Sequence, residues 1–299
     1  MSPPGPARFR FVQVEVPWPL GPPDGRYVLR DHDGGAASGE VTHVVVLATL
    51  GAIERRRLGR GSRGRSHEAP PEPGPAPVAT GRATIIATHP PLSGPEDAQA
   101  WLEAAGEDEL AAGLQTLNRV LHAHRLVAAD PYAATVVRSA LIAARVGHGV
   151  GEEVADGRWS QARELPAWTR MGESGAPGGR RRRLEPQARL AAVLGGRERG
   201  LACEELVLRA RLDLDEGRPR EAALQVIVAL DAALAELSAD PRADALGERL
   251  SELRSRRDAV ATAAQAALSS TPGPDAQAAV SGTVDRIEAA LRARAAASI

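Results

Sequence analysis

From Leu184 to the C-terminus the chain has no aromatic side chain; all eight aromatics lie at or before Trp168. A core there must be filled by Ala, Val and Leu, which suits helices in close contact better than a large aromatic-walled pocket. Any pocket with aromatic walls is therefore predicted in the first part of the chain. A length of 299 residues is two domains' worth at ~100–200 residues each, enough to bury a sizeable core.

Periodicity supports the division. Phe9, Phe11, Val12, Val14 and Val16 predict a strand, closed by Pro17-Trp18-Pro19. Gly21-Pro22-Pro23-Asp24-Gly25 predicts a turn, and residues 26–30 a second strand. The continuous Val-rich run 42–50 predicts an interior strand covered on both faces. Residues 82–88 predict a fourth strand. Residues 54–80, Arg-rich and then Pro-rich, predict a disordered loop within the sheet.

Residues 95–128 predict one helix, with Leu110, Leu114, Leu117, Leu121 and His124 on one stripe, ended by Asp130-Pro131. A fifth strand is predicted over 140–146, a turn over 147–151 and a short helix carrying Trp159 over 152–165. Beyond Arg180–Arg183 the pattern is helical. Helices 202–216 and 220–237 flank Gly217-Arg218-Pro219. Leu246, Leu250, Leu253 and Val260, then Val280, Val284, Ile287 and Leu291, form narrow seams of the coiled-coil kind.

The predicted architecture is α+β: a small, mostly antiparallel sheet domain with helices over 8–170, a linker over 171–183, and an all-α bundle over 184–297.

Composition excludes several classes of function. The chain has 37 basic and 38 acidic residues, and every basic one is Arg. Residues 1–179 carry 18 Arg against 20 acids, and 180–299 carry 19 against 18. That balance argues against a surface devoted to nucleic acid. Without Lys there is no Walker A loop. The single Cys203 excludes an internal disulfide and a Cys-based zinc site, and its helical face predicts a buried apolar role. The first residues show no secretory leader. The longest apolar run, 44–50, is far below the ~20 residues of a spanning helix. A cytoplasmic location with no membrane association is the expectation.

Two glycine motifs invite a nucleotide-binding reading. Gly59-Arg60-Gly61-Ser62-Arg63-Gly64 fits the dinucleotide fingerprint but opens a Pro-rich tail rather than a helix. Gly147-His148-Gly149-Val150-Gly151 precedes Glu152-Glu153, which would repel phosphate. His122 and His124, two apart on a helix, point in different directions and predict no metal site. No cofactor, metal or catalytic residue is assigned.

Residues 217–230 resemble the second half of a tetratricopeptide (TPR) hairpin. Ala210, Ala222 and Ala229 stand at its small positions, Gly217 at the turn and Val226 where an aromatic is usual. No second copy follows at a 34-residue period. The stretch from Phe9 to Tyr27, with Pro17-Trp18-Pro19, and Ala155-Asp156-Gly157-Arg158-Trp159 resemble an uncharacterised family from GC-rich actinobacteria. That resemblance implies no activity and no site residues.

Three functions follow as expectations. The first is a non-catalytic interaction or scaffold protein, whose seams Leu246–Leu253, Val260 and Val280–Leu291 serve self-association or a protein partner. The second is ligand binding or catalysis in the N-terminal domain, near Trp18, Tyr27, His124, Asp130, Tyr132 and Trp159. The third, and least favoured, is weak nucleic-acid binding through Arg55, Arg56 and Arg57 with Arg180, Arg181, Arg182 and Arg183.

Overall fold

The computed structural model describes residues 7–30, 39–51, 78–167, 189–241 and 243–296. Both Arg clusters, most of the predicted 54–80 loop, the 171–183 linker and Trp168 lie outside them. The chain divides into two compact units, 1–173 and 174–299.

The first unit is a six-stranded antiparallel sheet with helices, an α+β arrangement. Its strands are β1 (Arg8–Val16), β2 (Gly25–Arg30), β3 (Val41–Leu50), β4 (Thr80–Leu92), β5 (Ala143–Val150) and β6 (Gln161–Glu164), in the order β2-β3-β4-β1-β5-β6. The first four return the chain to β1. Helices α1 (Pro95–Ala104) and α2 (Glu107–Ala128) then cross one face before β5 joins the free side of β1. The predicted single helix is thus two, broken at Ala105-Gly106.

Alternation along β1 sends Val12, Val14 and Val16 to the helix-covered face, where they pack with Val45, Leu47, Ala83, Ile85, Leu114 and Leu117. Phe9 and Phe11 point the other way, with Val44 and Ile86, beneath a 3₁₀ turn over Gly151–Asp156. The Val-rich third strand is interior and buries side chains on both faces. On this second face Gln13 Nε2 donates to Thr84 Oγ1 at 2.9 Å, and Glu15 accepts from Arg82 at 2.9 Å and Arg145 at 3.2 Å. Every charge in that network has an opposite partner.

Two sequence expectations change at β5. The strand runs through Gly147-His148-Gly149 rather than ending before it, and residues 152–165 hold a 3₁₀ turn and β6 rather than a helix. A Cβ on Gly147 would lie 2.7 Å from Phe11 Cζ, and one on Gly149 would lie 2.5 Å from a Val154 methyl. The second face leaves no room for side chains there, so glycine is required within the strand.

The second unit is a helical bundle of α3 (Ala202–Asp215), α4 (Pro219–Ser238), α5 (Gly247–Ala267) and α6 (Pro274–Ala296). Gly217, at φ 67°, makes the α3–α4 turn. Ala210, Ala222, Val226 and Ala229 are fully buried in the core. Leu246, Leu250, Leu253, Val260, Val280, Val284 and Ile287 belong to that same core, with Leu291 packed against it. The seam residues expected to serve self-association or a protein partner thus pack against one another within one chain. No helix among the described residues is long and apolar enough to cross a membrane.

Candidate functional site

The six aromatic and polar candidates do not converge. Tyr27 and His124 line one cavity of about 610 Å³ between β2 and the later half of α2, among Val28, Leu29, Arg119 and Val127. Trp18 packs against the helix-side core. Asp130 accepts from the Tyr132 backbone N–H at 2.9 Å in a turn, and the Tyr132 side chain is 90% exposed. Trp159 lies on the opposite face, its ring 5.7 Å from that of Phe11. The predicted shared pocket is therefore corrected to a pair, Tyr27 and His124.

A different set does converge, at one end of the helix-covered face. Register places His43 opposite Ala87, Ala87 opposite Arg10, and Arg10 opposite His148. Directly opposed residues share a face, so β3, β4, β1 and β5 form one row of two imidazoles, a methyl and a guanidinium. Trp101 of α1 and Glu109, Ala112 and Gly113 of α2 roof a cavity of about 210 Å³ over Arg10, His43 and Ala87, with His89 at its side. His148 stands one strand beyond Arg10, 3% exposed.

Two small residues set this geometry. A Cβ on Gly113 would fall 2.9 Å from Val12 Cβ, so only glycine lets α2 ride this close to β1. Ala87 leaves the floor between His43 and Arg10 open.

The polar atoms of the row are poorly matched by the protein. Arg10 Nη2 donates to the Pro90 carbonyl at 3.0 Å. Arg10 Nε, His43 Nδ1, Trp101 Nε1 and both ring nitrogens of His148 are buried without a hydrogen-bond partner among the described residues. Each unmade bond of this kind costs about 1–3 kcal/mol. Native proteins keep few of them, and here five fall in one neighbourhood. The network around Glu15 on the other face shows that the same sheet satisfies polar side chains elsewhere.

Burial, and secondarily the charge of Arg119, lowers the His43 pKa from its ordinary 6.5. Burial, and secondarily Arg8, lowers that of His148. Both shifts favour the neutral imidazole at pH 7. In the unfolded chain they take up protons first as pH falls through about 6.5, so their stability contribution is present above that value and lost below it. The tryptophan-monitored unfolding midpoint is expected to fall between pH 7 and about 5.5, and His148→Gln should flatten that fall. An equal slope in the variant would remove His148 from the account.

The other sequence candidates carry no chemistry of this kind. Cys203 is buried, and burial followed by Glu236 pushes its thiol up to about 12, which makes it inert. Among the described residues no group of three or more His, Cys, Asp or Glu is placed to hold a metal ion.

Sequence reasoning missed Arg10, His43, Trp101 and His148 because the four are brought together only by strand register and helix packing. The one available signal was a polar residue alternating onto the apolar face of a strand, as Arg10 and His43 do. No protein-family model, curated protein or solved structure matches the chain.

Proposed function

We propose that the N-terminal unit is a small-molecule-binding module whose ligand sits between the sheet and α1–α2. One observation carries this reading: the cross-strand row from His43 to His148, with four buried nitrogens unmatched among the described residues and Trp101 Nε1 as a fifth above it, beside a formed cavity. Ligand pockets combine apolar walls with a few convergent polar groups. Val12, Ile85 and Ala112 supply the first here, and Arg10, His43 and Trp101 the second.

The reading is tested by a metabolite thermal-shift screen on the full chain, followed by tryptophan fluorescence. All four tryptophans lie at or before Trp168, so the signal reports the N-terminal unit. A ligand at ~100 times its Kd adds about 2.7 kcal/mol of stability. Such a shift is expected in the native chain and should vanish in Ala87→Leu, which fills the cavity from its floor. Circular dichroism checks that this variant is folded. Silence across the screen, or hits indifferent to Ala87→Leu, would overturn the reading.

An interaction role for the helical unit has lost its seams to the bundle core. It would instead rest on outward side chains such as Leu208, Val228 and Leu268, which are 62%, 52% and 60% exposed.

A further inference from the structure

The geometry points to a small oxyanion, a carboxylate or phosphate group, as what this cavity binds, with Arg10 Nε and Trp101 Nε1 as its donors. The inference rests on the ligand-binding reading above and adds the ligand's chemical class.

The donors are fixed by chemistry rather than by a choice of tautomer. Guanidinium and indole nitrogens only donate. Arg10 Nε and Trp101 Nε1 are both buried without a partner, and both side chains line the same cavity. A ligand that satisfies them must present acceptors. His43 Nδ1, equally buried and unpartnered, is a third group that can join them.

Charge selects among acceptors. Arg10 carries a full positive charge in a half-buried position, and its Nη2 donates to a neutral carbonyl, Pro90 O. Among the described residues no carboxylate lies at ion-pair distance from it, although Arg82 and Arg145 on the opposite face both have Glu15. A partly desolvated charge gains from a counter-charge, and a carboxylate or phosphate oxygen at the buried Nε would supply one through a charge-assisted hydrogen bond. Arg119 adds positive potential, evident in its effect on His43. Glu109 is the one carboxylate of the lining; it opposes a second negative charge, which favours a singly charged head group.

Size narrows the class further. About 210 Å³ is below the ~300–1,000 Å³ of pockets for drug-sized ligands. A small acid, or the acidic head of a larger molecule, fits; a whole nucleotide does not.

The experiment is calorimetric titration of the full chain at constant ionic strength with four small probes: acetate, inorganic phosphate, acetamide and methylammonium. Saturable binding of acetate or phosphate is expected, and the better of the two identifies the head group. Arg10→Gln and Trp101→Phe should each weaken it by about 10–100-fold, the loss of one charge-assisted or buried hydrogen bond. Circular dichroism melts confirm that both variants are folded. Binding of acetamide or methylammonium without either anion would overturn the oxyanion class while leaving a ligand site in place. Anion binding that survives both substitutions would place it elsewhere and overturn the proposal. No binding by any of the four would overturn it too, and the separate metabolite screen then decides whether the broader reading falls with it.

Discussion

Replacing Arg294 with Met is expected to destabilise the helical unit by about 3–5 kcal/mol, on the order of 10–20 °C in its midpoint for a unit of this size. Arg294 lies on α6 and is 5% exposed. Its Nε donates to Asp240 Oδ2 at 2.7 Å, and its Nη1 reaches Glu198 Oε1 at 3.3 Å. Arg189 binds the same Glu198 and also Glu204, so two arginines and three carboxylates form one cluster. The cluster ties the start of α3 and the turn after α4 to the last helix. Next to it, Glu236 of α4 accepts the first N–H groups of α3, from Ala202 at 3.0 Å and Cys203 at 2.9 Å. Methionine preserves much of the volume of arginine but withdraws from Asp240, itself nearly buried, and from Glu198 the cation that they share. The loss exceeds the worth of the pair, because the remaining charge keeps its desolvation cost. Arg294→Met combined with Asp240→Leu should therefore recover much of the stability. Helical circular dichroism should register the change, while tryptophan fluorescence, blind to the second unit, should stay in place. A single variant within about 1 kcal/mol of the native chain would show that the cluster behaves as a surface ion pair.

What the sequence revealed and what it hid divide along the range of the interactions concerned. Strands β1 to β4 are legible because β-branched runs sit between Pro and Gly breaks, and both signals are local. The helices of the second unit are legible from the spacing of Leu and Val. β5 was cut short because Gly147 and Gly149 carry little strand preference; their reason for being glycine is Phe11 and Val154, far away in sequence. The same misreading hid His148, which alternation along the correct strand sends to the helix-covered face. The row from His43 to His148 depends on register across four strands, and a one-residue slip would scatter it. The seams show a different limit. Periodicity identifies which side of a helix is apolar, but Leu253 or Ile287 looks the same whether its neighbour is the next helix or another chain. Aromatic content placed Tyr27 and Trp159 correctly in the first unit but not on the same side of its sheet.

The chain's single asparagine is the site of the second large expected effect. Asn118, on α2 and 4% exposed, faces the segment that leads from α2 to β5. Its Nδ2 donates to Val136 O at 3.0 Å, and its Oδ1 accepts from Val136 N at 2.9 Å. The amide thus stands in for a neighbouring strand, meeting both backbone groups of a residue buried in the core. Asn118→Leu keeps the branched outline and heavy-atom count of the side chain and removes both bonds at once. Two backbone groups left unpaired at about 1–3 kcal/mol each give an expected loss of about 2–6 kcal/mol. Asn118→Asp separates the two halves of the interaction: the carboxylate can still accept from the Val136 N–H, but it loses the donor to the carbonyl and buries a charge. It is expected to destabilise as well, and most strongly at neutral pH, where that carboxyl is ionised. Both variants should lower the tryptophan-monitored denaturation midpoint and leave the unfolding of the helical unit unchanged. If Asn118→Leu were neutral, the gain in apolar contact would outweigh both lost bonds, and the segment before β5 would be held by Val136 packing alone. The proposed ligand site depends on this contact, since that segment delivers β5, and with it His148, to the side of Arg10.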